Sequence, residues 1–260
     1  EHLRFLLLTH AALVSCQHMG FAPQILHCND WHTGFGPLLL RTTYAWDKLF
    51  HGTRSLMSIH NIAYQGVFDA ARREDAGLGD AAHLLDAGEL AAGRINPLRE
   101  GIAHADHVST VSPTYAREIQ TATFGYGLQD LLARRAGSLT GILNGVDYEE
   151  WDPRNDRYLP LHFNASQLGT KDELKQDFLQ RVELATGARS RLPLLGIVSR
   201  LAAQKGFDLV MQALPDLLRR HEFCCAVLGS GEPRFEQFFR ELAHLHPTRV
   251  HFRAGYSEEH

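Results

Sequence analysis

The sequence predicts an α/β fold, parallel sheets with helices on their faces, divided into two domains. Three observations predict it. Short apolar runs alternate with helix-length stretches along the chain, the rhythm of strand, crossover helix and next strand rather than of hairpins. With 260 residues, 44% of them hydrophobic, the chain can bury a substantial core at a length that fits one large or two medium domains. The alternation breaks once, over residues 147–170, "DYEEWDPRNDRYLPLHFNASQLGT", where proline, asparagine and aspartate gather as in a linker. One domain is therefore expected over residues 1–146, and a linker with a second domain over residues 147–260.

The first element is "FLLLTHAALV", read as an amphipathic helix. It is too short and too interrupted to cross a bilayer, which takes about 20 residues, and no basic segment with a cleavage site frames it as a signal. "QILHC" follows Pro23 as the first strand, and "RSLMSIH", "DHVSTVS" and "TGILN" continue the sheet. Between the last two a helix opens at "SPTYAREIQ", with Ser112 as cap and Pro113 at the first helical position. Residues 69–94, alanine-rich with scattered acids, read as loop and short helix.

After the linker, "TKDELKQDFLQRVEL" starts a helix with a capping box from Thr170 to Glu173. Strand "LPLLGIVS", a helix over residues 206–220, strand "FCCAVLG", a helix from Arg234 and strand "RVHFRA" complete a βαβαβ block. Glu1 is not an initiator methionine and the chain closes on "GYSEEH", so a piece of a longer protein is expected.

A net charge of −4 leaves no basic face for a nucleic-acid backbone or an anionic membrane, so neither is expected as a partner. Cys16, Cys28, Cys224 and Cys225 show no C-x-x-C spacing, which fits reduced thiols packed as small apolar side chains in a cytoplasmic compartment. The sequence specifies no oligomeric state.

The candidate chemistry sits where apolar runs end. "HCNDWHTGFGP" packs His27, Asn29, Asp30 and His32 just past the first strand, and strand ends are where open α/β sheets keep their ligands. Ligand-type residues suggest a metal, yet the stretch lacks a helical H-E-x-x-H frame or a second ligand pair. His104 and His107, three apart on an expected helix, are also chelate-like, but among 16 histidines such pairs arise by chance. In "SIHNIAYQG" a second strand delivers His60 and Asn61 to its carboxyl end, followed by Tyr64, Gln65 and Gly66. Imidazole, amide, carboxylate and phenol together suit a polyhydroxylated ligand such as a sugar. "LNGVD" places Asn144 at the domain junction. In "GIVSRLAAQKGFDLV", Arg200 just past a strand and Lys205 at a helix entry make a site for a diphosphate. Lys205 is one of four lysines in a chain with 22 arginines, which favours a specific use. "LGSGEP" carries Gly229 and Gly231 in a loop like those that cradle phosphate, though without the G-x-G-x-x-G spacing.

"HCNDWHTG", "SIHNIAYQG", "ADHVSTVSPTYAREI", "GILNGVD", "VSRLAAQKGFD" and "LGSGEP", in this order, resemble the bacterial glycogen synthase and plant starch synthase family over essentially the whole chain. The resemblance implies two Rossmann-like domains facing across a cleft, the GT-B arrangement, both incomplete here. It implies transfer of glucose from ADP-glucose to an α-1,4-glucan acceptor with retention at the anomeric carbon, with no metal ion and no cofactor. It also implies that His60 bonds the glucose hydroxyls, Asn61 and Asn144 bind the sugar, and Asp30 lies beside the acceptor. Arg200 and Lys205 neutralise the departing phosphates, Gly229 and Gly231 line the donor, and Tyr256 in "AGYSEE" stacks on the adenine. The family's glycine-rich "KTGGLAD" motif and its glutamate-bearing motif have no counterpart, so these 260 residues alone are not expected to turn over. The alternatives are a GT-B glycosyltransferase with another donor, and a noncatalytic glucan-binding module. A dehydrogenase would need a Gly-rich fingerprint that the sequence lacks.

Overall fold

The structure, a computed structural model, describes residues 1–184 and 190–255, side chains of residues 79–81 excepted. The chain divides into two compact units, Glu1–Gly145 and Val146–His260.

The first unit runs α1 (His2–Met19), β1 (Ile25–Asn29), α2 (Gly36–Arg41), β2 (Arg54–Ile59), β3 (Phe68–Asp69), α3 (Ala87–Ala91), β4 (Arg94–Ile95), α4 (Pro97–His104), β5 (His107–Thr110), α5 (Pro113–Glu118), α6 (Gln129–Arg134) and β6 (Leu139–Gly141). Its main sheet is parallel throughout, in the order β1-β2-β5-β6, and its register sets Cys28 beside Met57, Met57 beside Val108 and Val108 beside Leu139. That apolar row meets Ile62, Leu98, Ile102 and Leu132 in one core. A second core joins α1 and α2 through Leu6, Leu13, Phe35, Leu38 and Leu39 with Phe50 and Ile95. Burial of such side chains supplies roughly 1.5–3 kcal/mol each, which fixes the sheet and thereby its carboxyl edge.

Helix starts follow local chemistry where a cap is present. Ser112 Oγ accepts the Tyr115 amide at 2.9 Å with Pro113 in the first turn, as expected, and Asn96 Oδ1 accepts the Arg99 amide at 3.1 Å with Pro97 next to it. Two expectations change. Helix α1 buries Leu6, Thr9 and Leu13 but leaves Leu3, Leu7 and Leu8 exposed, so its apolar side chains encircle it rather than forming one face. Residues 69–94 hold 3-10 turns and α3, closed at the ends by the antiparallel β3–β4 pair that the sequence did not announce.

The second unit runs α7 (Thr170–Arg181), β7 (Leu194–Val198), α8 (Phe207–Arg220), β8 (Cys224–Leu228), α9 (Pro233–Leu245) and β9 (Val250–Arg253), with a parallel sheet in the order β7-β8-β9. Strand β8 is buried along its whole length, and Leu201, Phe207, Leu214, Phe235, Phe239 and Val250 form the core beside it. Thr170 does not cap α7, because it is already helical and Gly169 occupies the cap position without a side-chain bond. The four cysteines are free, three buried and Cys16 half-buried. Among the described residues no helix is long and apolar enough to cross a membrane.

Candidate functional site

In the first unit, β1, β2 and β6 deliver Asp30, His60 with Asn61, and Asn144 to one edge of the parallel sheet, the carboxyl edge where α/β proteins bind ligands. The two strand-end motifs are built on each other. Asp30 Oδ1 accepts the amide of His60 at 2.8 Å and that of Asn61 at 3.3 Å, while its Oδ2 has no partner among the described residues. The next amide, of Ile62, donates to the Tyr115 hydroxyl at 3.1 Å. Asn61 Oδ1 then closes the turn by accepting the Ala63 amide at 3.1 Å.

The imidazole of His60 is exposed and its Nε2 lies 2.9 Å from Asn29 Oδ1. With an oxygen accepting at Nε2 the proton sits there, and Nδ1 is left to accept from a ligand hydroxyl. The loop beyond is equally tied. Gln65 Nε2 donates to the carbonyls of Ile62 at 3.2 Å and Tyr126 at 2.9 Å, and Gln65 Oε1 accepts from Asn96 Nδ2 at 2.6 Å. Gly66 has φ +69° and lies flat against the Trp31 indole, where a β-carbon would enter the ring. Trp31, Tyr64, Gln65, Gly66 and Phe68 line an adjoining cavity of about 480 Å³.

Sequence reasoning missed Tyr115 and Asn96 as holders of this turn. An Asn-Pro pair before a helix is a cap signal that identifies Asn96; nothing local marks the Tyr115 hydroxyl. The other histidines of the first motif have packing duties: His27 Nε2 is 2.7 Å from Ser58 Oγ, which is 2.6 Å from Ser109 Oγ, and His32 stacks on Trp31 at 4.2 Å. His104 and His107 do not share a helix. His104 ends α4, 3.5 Å from the buried carboxylate of Glu100, whereas His107 starts β5 with its Nε2 2.9 Å from Thr140 Oγ1. Among the described residues no three His, Cys, Asp or Glu side chains gather as a metal site. Asn144 is exposed and without a partner among the described residues.

In the second unit, Arg200 lies two residues past β7, and Lys205 ends a 3-10 turn, Ala203–Lys205, directly before Gly206, the cap residue of α8. Both cations are exposed, and neither has an ion-pair partner among the described residues. Nearby acids are already engaged. Glu232 accepts the Ala203 amide at 2.8 Å and pairs with Arg234, which hold its carboxyl below the usual range, and Arg234 also pairs with Asp208 at 2.9 Å. Gly229 and Gly231 lie against this loop. The Leu201 amide donates to the Ser230 carbonyl at 2.9 Å, the Glu232 amide to the Leu201 carbonyl at 2.8 Å, and β-carbons at the two glycines would strike the carbonyls of Ser199 and Leu201. "LGSGEP" therefore braces the Arg200–Lys205 segment. Tyr256 lies outside the described residues.

Comparison with known proteins bears on both units. A glycogen synthase from Anaeromyxobacter dehalogenans (strain 2CP-C) is 45% identical over 255 residues, 98% of this chain and 53% of that protein. One from Koribacter versatilis is 42% identical over 97% of this chain and 51% of its own length. The chain thus spans about half the length of the curated relatives it matches. The catalytic domain of starch synthase IV from Arabidopsis thaliana, solved bound to ADP and acarbose, superposes with a TM-score of 0.86 at 32% identity, covering 98% of this chain and 52% of that one, so the mixed α/β fold with parallel sheets is shared. Residues 1–134 match the family described as starch synthase catalytic domain, and the chain belongs to that family.

Proposed function

We propose that this chain belongs to a retaining glucosyltransferase that extends an α-1,4-glucan acceptor from ADP-glucose. The observation that carries the reading is the pair Arg200 and Lys205, without ionic partners among the described residues at the carboxyl edge of a parallel sheet, while the acids Glu232 and Asp208 beside them are paired. Glycosyl transfer without a metal must stabilise the charge of the departing diphosphate, and fixed cations beside a helix N-terminus do so. In this reading His60 Nδ1, Asn61 and Asn144 take sugar hydroxyls, and Asp30 uses its Oδ2 toward the acceptor. Gly229 and Gly231 let backbone approach the donor, and Tyr256 stacks on the adenine. The enzyme works in the cytoplasm without metal or cofactor. The glycogen synthase relatives and the ADP- and acarbose-bound starch synthase support these assignments.

The test is glucosyl incorporation into glycogen by the protein expressed from its complete gene. ADP-glucose is expected to give the larger kcat/KM. Equal values for UDP-glucose would overturn the donor assignment, and glucan binding without incorporation from either donor would make the protein a binding module.

A further inference from the structure

Three consecutive amides leave β2 at the His60 turn, and side-chain oxygens accept all three. Two are taken by Asp30, at the end of the neighbouring strand β1. The third, Ile62, is taken by Tyr115, which reaches in from the other side of β2, from the helix that follows β5. We propose that Tyr115 is a positioning residue of the sugar site: its hydroxyl pins the Ile62 amide and so sets the turn that presents His60 and Asn61.

The placement of that hydroxyl is itself fixed. The Tyr115 amide is bound by the Ser112 cap, Pro113 rigidifies the first turn of α5, and the ring packs against the core that contains Met57, Ile59 and Ile62. Ile62 is buried, so its side chain anchors one end of the turn while its amide is held at the other. Burial raises the Tyr115 pKa, the Ile62 amide draws it back, and the nearby carboxylates of Asp30 and Glu118 push it up again, so the net shift is upward and the hydroxyl stays neutral across the physiological range. A neutral phenol is a steady acceptor for an amide, and it adds no charge of its own beside the Asp30 carboxylate. The bond does not touch a ligand. Its effect reaches the chemistry through the positions of the His60 ring and the Asn61 amide, where displacements of an ångström matter.

The inference rests on the glucosyltransferase reading, and the experiment separates the two. Tyr115→Phe keeps the ring in the core and removes only the hydroxyl. In the protein expressed from its complete gene, the variant is expected to lose about tenfold in kcat, the rate equivalent of one hydrogen bond, with KM for donor and acceptor within about twofold. Hydrogen–deuterium exchange of the same protein should quicken over residues 60–66 and stay unchanged over β5 and α6. An unchanged kcat overturns the proposal, as does unchanged exchange over residues 60–66. If the wild-type protein transfers no glucose, the functional reading falls, and the exchange arm alone then decides whether Tyr115 holds the turn.

Discussion

Asp30 and His60 lie thirty residues apart in sequence, yet Asp30 Oδ1 stands 2.8 Å from the His60 amide nitrogen. There Asp30 has a positive φ of 50° with ψ −169°, a conformation that costs a residue with a side chain about 1 kcal/mol or more. In the proposed function the carboxylate has two separable duties, one oxygen for the backbone and one for the acceptor. Asp30→Asn retains an acceptor and tolerates positive φ, so it should cost under about 1 kcal/mol of stability. Asp30→Ala should cost about 1–3 kcal/mol because both amides lose their partner. Glucan extension should nevertheless fall about 10²-fold in Asp30→Asn, since in the proposed function the charge that faces the acceptor is gone. Urea unfolding and initial rates on both variants check this. Full activity in Asp30→Asn would reduce Asp30 to a clamp.

Gly66→Ala sets a β-carbon against the Trp31 indole and places alanine at φ +69°. We expect a loss of about 1–3 kcal/mol. Trp46 and Trp151 are 74% and 73% exposed, so a change in the blue part of the fluorescence spectrum reports the half-buried Trp31. An unshifted spectrum with unchanged stability would show that the two motifs do not bear on each other.

Arg200→Ala and Lys205→Ala should each weaken ADP binding about tenfold, as expected for charge-assisted contacts to phosphate. Calorimetry at two salt concentrations is the check, because the affinity of the wild type should fall with salt more steeply than that of either variant. Adenosine, which lacks the phosphates, should bind all three alike. Undiminished ADP affinity in both variants would remove the pair from its role.

At the opposite end of the first sheet, Asp106 gives a pH prediction. Burial pushes its pKa up, but the Ser55 amide and hydroxyl together with Arg41 and Arg54 outweigh it, and the net shift is downward from 3.8. A carboxyl depressed by folding stabilises the protein above its unfolded value and loses that contribution as pH falls through the folded one. Wild-type stability should thus drop from pH 5 to pH 2 more than that of Asp106→Asn. Parallel guanidinium curves for the two proteins at both pH values would contradict the assignment.

The parallel strands were legible because each is an apolar run that ends in a polar cluster, and so were Asp30, His60 and Arg200 as strand-end residues and Lys205 as a helix-entry residue. What stayed hidden was long-range or very short. The β3–β4 pair is two residues on each side, too brief for any periodicity to register. Thr170 carried a capping signature, but Gly169 begins the helix one residue earlier and the hydroxyl is left inside it. The separation of His104 from His107 depends on α4 stopping at residue 104, where Arg135, thirty residues on, donates to the Ala105 carbonyl at 2.7 Å. Tyr115 was visible as a residue, but its partner Ile62 lies 53 positions away, and no local pattern encodes that meeting.

The burial of three thiols gives the protein a built-in pair of chemical clocks. Burial lifts Cys28 to about 12 and Cys225 to about 11, so at neutral pH almost none of either is in the nucleophilic thiolate form, whereas Cys16 is half-buried. A maleimide added to native protein therefore marks Cys16 first. Later alkylation at Cys28 times the opening of the first unit, and at Cys224 or Cys225 that of the second. The two sheets can then be followed independently in one sample, without introducing a probe.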